Sequence, residues 1–199
     1  GAVEGSEVWA KTVNPHVISC STTISGDVVI GPGTQILFTD GAELIVTGGL
    51  SVEGTSEEPV LFEAKDGASF PGLTIRGNGG DTQLSHVTMN GGGFASQALV
   101  GALTIDSGPV ELNDVQIFDA FNCGLVVTEK GRIHANSQDI VVKRSGSYGI
   151  CSDVQAAQTV KESMFTLGEN GKSGVQLLGQ NLTGLHKWEA QGWPYVLND

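Results

Sequence analysis

Three charged residues recur at a fixed spacing in the second half of the chain, since Asp119, Arg144 and Glu169 are each 25 residues apart. In a fold built from repeats of that length, the three side chains would stack about 4.8 Å apart. A cationic base flanked by carboxylates could serve a lyase. On an exposed surface the same column would be an ion-pair ladder that contributes about 0.2–1 kcal/mol per pair. We interpret it as a ladder and keep the lyase base as the alternative.

A second column combines an imidazole with carboxylates. His86, Asp114 and Asp139 each stand directly before an apolar residue of the same repeat. His86 could act as a general base and the two stacked carboxylates could bind Ca²⁺, although a solvated polar face is the simpler interpretation. We therefore predict no metal site and no cofactor, and calcium is the one ion that these carboxylates could hold. If the chain is an enzyme, its candidate catalytic residues are Asp114, Asp139 and Arg144.

Aromatic residues, which serve as platforms for sugar rings, make up only 6% of the chain. The candidate ligand-binding residues are Trp188, Trp193 and Tyr195, which cluster near the C-terminal end. We favour a different role for this cluster, in which it covers the open end of a stacked fold.

The spacing of two of the three cysteines predicts that they remain apart. Cys123 and Cys151 fall on neighbouring repeats but three positions out of register, which corresponds to about 10 Å along an extended strand. That separation exceeds the reach of a disulfide. We therefore expect no bridge between them.

The elements that position these residues are short strands in a repeating unit. Gly124-Leu125-Val126-Val127, Gly149-Ile150-Cys151-Ser152 and Gly174-Val175-Gln176-Leu177 are each 25 residues apart. Alternating apolar segments bounded by Gly, Asn, Asp or Ser predict strands rather than helices. A period of this length with two such segments is typical of one coil of a β-solenoid. The predicted inward-facing residues are Leu73, Ile75, Val87, Met89, Leu103, Ile105, Val115, Ile117, Leu125, Val127, Ile140, Val142, Ile150, Phe165, Leu167, Val175 and Leu177.

The predicted fold is an all-β parallel β-helix with coils of about 22–30 residues. It forms one domain over 1–199, with an N-terminal segment (1–27), stacked coils (28–180) and a C-terminal segment (181–199). The last segment restates the first, because Trp9 and Trp188 are each followed six residues later by a proline. From the residues alone, such a restatement predicts edge segments in which a Trp covers each open end of the solenoid.

The charge of the chain narrows the range of partners. The formal net charge is −12 and the pI is about 4.6. Nucleic acids and anionic membrane surfaces both require cationic proteins, so we expect neither as a partner. No apolar run approaches the length of a transmembrane helix.

Residues 22–64, "TTISGDVVIGPGTQILFTDGAELIVTGGLSVEGTSEEPVLFEA", resemble the opening coils of right-handed parallel β-helix proteins of bacterial surfaces, which belong to the pectate-lyase-like superfamily. The resemblance implies a right-handed solenoid and an extracellular or cell-surface location, including that of an outer-membrane or periplasmic lipoprotein. It also implies polysaccharide or other surface protein modules as partners. For the restated C-terminal segment it implies the start of a further β-helical unit, which is the alternative to an end cap.

Enzymes of this superfamily use Asp-Asp, Gly-His-Gly and Arg-x-Lys strings, none of which occurs in this sequence. We therefore expect a non-catalytic, exported or cell-surface β-helix module, a structural or adhesive scaffold with glycan as its ligand. The alternative is a polysaccharide-active lyase or hydrolase of the same superfamily with an unfamiliar site. Turnover of an acidic polysaccharide would favour the alternative.

Overall fold

The computed structural model describes residues 1–77, 82–93, 100–179 and 192–197. Within these ranges the chain forms an all-β solenoid of about seven turns, in which every strand pairing is parallel. Each turn contributes to three sheets, and three short 3₁₀ turns interrupt the strands at Lys65–Gly67, Ala157–Thr159 and Glu162–Met164. No helix in the described part of the chain has the length and apolarity to cross a membrane.

The first sheet runs the whole length of the solenoid. Its strands pair in parallel from one coil to the next. In spatial order they are β1 (Ala2–Val3), β4 (Thr22–Ile24), β7 (Glu43–Val46), β10 (Gly72–Ile75), the start of β12 (Leu103–Phe118), β13 (Leu125–Ile133), β15 (Tyr148–Asp153), β17 (Lys172–Leu178) and β18 (Tyr195–Leu197).

The second and third sheets close the cross-section, and the long strands β11 (Thr82–Asn90) and β12 contribute to both. The second sheet contains β2 (Glu7–Trp9), β5 (Asp27–Ile30), β8 (Gly49–Glu53), the first half of β11 (Thr82–Asn90), the middle of β12 and the end of β13. The third sheet contains β3 (His16–Ile18), β6 (Gln35–Phe38), β9 (Val60–Ala64), the ends of β11 and β12, β14 (Gln138–Lys143) and β16 (Phe165–Gly168).

The corner between the second and third sheets is a single residue with positive φ in three consecutive coils. These residues are His86, Asp114 and Asp139, with φ of 50°, 50° and 54°. One left-handed residue breaks the alternation of the strand, so that Leu84 and Val87 both face the core although they are three residues apart. The corner side chain itself points outward, which explains the polar column seen in the sequence.

The apolar core matches the predicted inward set closely. Every predicted residue is buried except Leu167, which is partly buried and packs against the same core. Leu167 lies on β16, the last described strand of the third sheet, so no further described coil of that sheet covers it. In the first coils the core also contains aromatic stacking, with 4.6 Å between the ring centroids of Phe38 and Phe70.

The prediction that Cys123 and Cys151 remain apart is wrong, because the two residues form a disulfide with Cα atoms 5.9 Å apart. The predicted separation assumed that Cys123 continues the line of its strand. Instead, Cys123 lies before β13 begins, and the chain there folds over the outer face of the first sheet. Cys123 therefore packs in a second apolar cluster with Val126, Tyr148 and Cys151.

The N-terminal and C-terminal segments that share the Trp and Pro pattern join different sheets of the solenoid. The predicted N-terminal segment contains β1 to β4, which pair within the sheets like later strands. The segment 194–197 adds Tyr195–Leu197 to the first sheet, whereas 15–18 adds His16–Ile18 to the third. The restated sequences therefore occupy different faces of the solenoid. Trp188, on which the comparison also depends, lies outside the described residues.

Candidate functional site

The predicted column of Asp119, Arg144 and Glu169 exists at the corner that follows the third sheet. All three residues have positive φ, between 56° and 57°, and the preceding residues are paired in the sheet. The Nε and Nη2 atoms of Arg144 donate hydrogen bonds to the two carboxylate oxygens of Asp119, each at 2.8 Å. The same guanidinium lies 4.8 Å from the centroid of the Phe118 ring.

These contacts oppose a role for Arg144 as a base. The two hydrogen bonds lower the pKa of Asp119. The same bonds raise the pKa of Arg144, and the charges of Asp119 and Glu169 add to this effect. A general base must be unprotonated near the working pH so that it can accept a proton from the substrate. A guanidinium held in its charged form is poorly suited to that task.

The second predicted column lies at the corner between the second and third sheets. His86 Nδ1 is 2.7 Å from Asp114 Oδ2, and both side chains are more than one third exposed. Asp139 occupies the equivalent corner in the next coil. Within the described ranges no three His, Cys, Asp or Glu side chains are grouped so that they could hold a metal ion.

The structure separates Arg144 from the other two candidate catalytic residues, Asp114 and Asp139. Asp139 and Arg144 stand at opposite ends of the segment 140–143 of the third sheet. Five residues of strand span about 17 Å, which is too far for the two groups to act on the same bond. Asp114 lies at the same corner as Asp139 and is separated from Arg144 in the same way.

The candidate ligand-binding aromatics take part in packing at the C-terminal end. Trp193 and Tyr195 are partly buried against the main apolar core. A small cavity of about 270 Å³ lies beside Trp193, lined on its other sides by residues that include Glu169 and Lys172. Trp188 lies outside the described residues. The described pair is therefore placed to cover the core rather than to present open rings.

A larger cleft, which the sequence interpretation missed, follows the corner between the first and second sheets. Its volume is about 600 Å³. One wall is a column from successive coils, Arg76, Asp106, Thr128 and Asp153, as the neighbouring strand pairs require. The Thr128 hydroxyl donates to Asp106 Oδ1 at 2.7 Å, and Arg76 Nε is 3.5 Å from Asp106 Oδ2.

The other wall of this corner cleft comes from a β-bulge. The register between β12 and β13 shifts between Ile105 and Ser107, because β13 has one more residue than its partner there. Bulges re-aim side chains at sheet margins, and here the exposed Glu129 and Lys130 line the cleft. The sequence does contain a signal for this bulge, because the repeat lengthens by one residue between the pair Leu103–Leu125 and the pair Ser107–Lys130.

The outer face of the first sheet is covered and offers no open surface, in contrast to the cleft at the corner with the second sheet. Its outward-facing side chains in five consecutive coils are all buried: Thr74, Thr104, Val126, Cys151 and Gln176. A ligand would therefore reach this side of the molecule at the corner cleft and not across the flat of the sheet.

Comparisons of this chain with models of protein families, with curated proteins and with solved structures find no match. The fold is therefore established by the strand pairing itself, which is parallel throughout the described residues.

Proposed function

We propose that the chain is a non-catalytic module of an exported or cell-surface protein, which acts as a rigid structural or adhesive scaffold. The observation that carries the proposal is the continuous parallel register of three sheets around one core. In a solenoid each coil is held by its neighbours, and each adds about 4.8 Å of length. Such a rod suits spacing or display better than it suits the closing motions of many enzymes.

Two further features support this proposal. The buried bridge between Cys123 and Cys151 suits an oxidising compartment, where structural disulfides persist. The pairing of Arg144 with Asp119 and its distance from Asp139 favour a stabilising role for these charges. As part of the same proposal, the chain belongs to the pectate-lyase-like β-helix proteins of bacterial surfaces, with glycan or other surface modules as partners.

The location is tested by following the full-length protein in the cells that produce it. Cell fractionation, surface proteolysis and alkylation of free thiols would be combined, with the Cys123→Ser variant as the control for the bridge. We expect surface-accessible or secreted protein in which only Cys20 reacts before reduction. A cytosolic protein with Cys123 and Cys151 both alkylated would overturn the exported location.

The absence of catalysis is tested by incubating the purified chain with acidic and neutral polysaccharides. New reducing ends and unsaturated sugar ends would be measured, and we expect neither. Turnover that disappears in the Asp139→Asn or Arg144→Gln variant would overturn the scaffold function and favour a polysaccharide-active enzyme.

A further inference from the structure

We propose that the corner cleft binds a free basic amino acid, lysine or arginine, through Glu129, Lys130 and Asp153. The proposal goes beyond the scaffold function, since a rigid module needs no ligand. It assigns a small-molecule site and a class of ligand that neither the sequence motifs nor the charged columns at the other corners indicated. The volume of the cleft, about 600 Å³, lies in the range of small-molecule sites.

One pair of opposite charges in the cleft is already matched within the protein. Asp106 Oδ1 accepts a hydrogen bond from the Thr128 hydroxyl at 2.7 Å, and Asp106 Oδ2 lies 3.5 Å from Arg76 Nε. The charges of Arg76 and Asp106 therefore largely offset each other. This part of the cleft contributes little to the charge that a ligand meets.

Three other charged groups of the cleft have no charged partner. The side chains of Glu129 and Lys130 are exposed, and in the described structure they make no hydrogen bond or ion pair. Asp153 belongs to the next coil, and its Oδ1 accepts the backbone N–H of Gln155 at 2.8 Å, which leaves Oδ2 open. One ammonium and two carboxylates thus line the same cleft without reaching one another, so a ligand can bridge them.

The balance of these three charges determines the complementary ligand. One positive and two negative groups are matched by a molecule with one carboxylate and two cationic groups. A basic amino acid carries this set, with the α-carboxylate for Lys130 and the α-ammonium and side-chain cation for Glu129 and Asp153. Its net positive charge is also attracted to a protein of net charge −12.

Other classes of small molecule match the cleft less well. A dicarboxylate would place a like charge beside Glu129 or Asp153, and a diamine would leave the ammonium of Lys130 without a partner. A quaternary ammonium ligand is recognised by aromatic faces, and no aromatic residue is among those described as lining the cleft. Primary ammonium and guanidinium groups instead donate several hydrogen bonds, which the two carboxylates can accept.

The ligand class is tested by calorimetric or NMR titration with L-lysine and L-arginine at low ionic strength. Each comparator lacks one charged group: cadaverine and agmatine lack the carboxylate, norleucine lacks the side-chain cation, and the Nα-acetyl derivatives lack the α-ammonium. We expect at least one basic amino acid to bind with Kd of about 1 mM or tighter, and its comparators to bind at least about fivefold more weakly. Saturation by neither amino acid, or a comparator that binds as tightly, would overturn the proposal.

The role of Lys130 is tested with the variant Lys130→Met, which removes the exposed ammonium. The matched control is Lys65→Met, an exposed lysine on a 3₁₀ turn. We expect Lys130→Met to lose the preference for the basic amino acid over the diamine that lacks its carboxylate, whereas Lys65→Met keeps the preference and both variants keep the wild-type Tm. A preference that survives in Lys130→Met would place the carboxylate elsewhere and overturn the site.

The two carboxylates are tested with Glu129→Gln and Asp153→Asn. The matched control is Glu57→Gln, an exposed glutamate between β8 and β9 at another corner. We expect each cleft variant to weaken binding of the basic amino acid about fivefold or more, and the control to bind it as the wild type does. Wild-type affinity in either cleft variant would overturn the three-charge site. Neither result bears on export or turnover, so the scaffold function is tested separately.

Discussion

Single residues at two corners of the solenoid hold backbone conformations that most side chains avoid. Asp114, Asp139 and Asp119 are short acidic residues that tolerate the left-handed region, but Arg144 and Glu169 also have φ of 56° and 57°. For a residue with a Cβ atom this region costs about 1–2 kcal/mol. The cost at Arg144 is offset by its hydrogen bonds to Asp119, whereas Glu169 makes no direct ion pair within the described residues.

The strain at Glu169 predicts a stabilising substitution. Because glycine adopts positive φ freely, Glu169→Gly should raise the free energy of unfolding by about 0.5–1 kcal/mol. The matched control is Thr166→Gly, an exposed position three residues earlier in β16. That change should lower stability by about the same amount, because glycine weakens strands. Thermal unfolding of both variants checks the pair, and a lower Tm for Glu169→Gly would contradict a strained corner.

The ion-pair ladder of Asp119, Arg144 and Glu169 predicts that a substitution at Arg144 lowers thermal stability, and that the loss depends on salt. Arg144→Glu would place three carboxylates on adjacent coils and remove the bidentate contact with Asp119, so the Tm should fall by several degrees at low ionic strength. The loss should shrink in about 1 M salt, because the screening length falls from about 10 Å at 0.1 M to about 3 Å, which is shorter than the spacing of neighbouring coils. Arg144→Gln separates loss of the hydrogen bonds from added repulsion. Equal melting shifts of Arg144→Glu at low and high salt would rule out a charge ladder.

The ion pair between Asp119 and Arg144 predicts that the free energy of unfolding depends on pH. Arg144 lowers the pKa of Asp119 in the folded state, so the unfolded state binds the proton more readily as the pH falls. The stabilisation by Asp119 is therefore complete above its unfolded pKa and is lost as the pH falls through its folded pKa. Denaturant titrations of wild type and Asp119→Asn should differ near neutral pH and converge in acid. A difference that persists below the folded pKa would show that Asp119 acts other than through its charge.

At the scale of elements, the disulfide between Cys123 and Cys151 joins the turn before β13 to the middle of β15. It closes a loop with a sequence separation of 28 residues, for which the chain-entropy model gives about 3–4 kcal/mol. The Cys123→Ser/Cys151→Ser variant should lose stability up to that amount, measured by denaturant unfolding without reductant. Cys20→Ser is the control, because Cys20 is exposed and free. An unchanged midpoint in the double variant would mean that the second apolar cluster holds this turn without the bridge.

At the scale of the whole molecule, the solenoid predicts tolerance to loss of one coil. Deleting residues 23–44 joins Thr22 to Ile45, which takes the place of Thr23 because these residues are paired in register. The shorter chain should keep its β-type circular dichroism and unfold cooperatively at a moderately lower Tm, since stability is nearly a sum over coils.

The control for this experiment deletes residues 23–45, one residue more. That change should turn Val46 from the core to the outer face, because strand side chains alternate. Equal stability of the two deletions would contradict a fold in which register alone determines which side chains are buried.

The sequence by itself determined the repeat, the sheet-forming segments, nearly all of the inward set and the two charged columns. These features depend on the period of the chain, because residues one coil apart are paired whenever the register is regular. Only the tertiary structure decided two others: the bridge between Cys123 and Cys151, and the corner cleft beside Glu129 and Lys130. Each depends on how the chain bends between strands, through a turn over a sheet or a single-residue bulge. Periodicity carries no information about those bends, since they lie where the repeat changes length or leaves the strand.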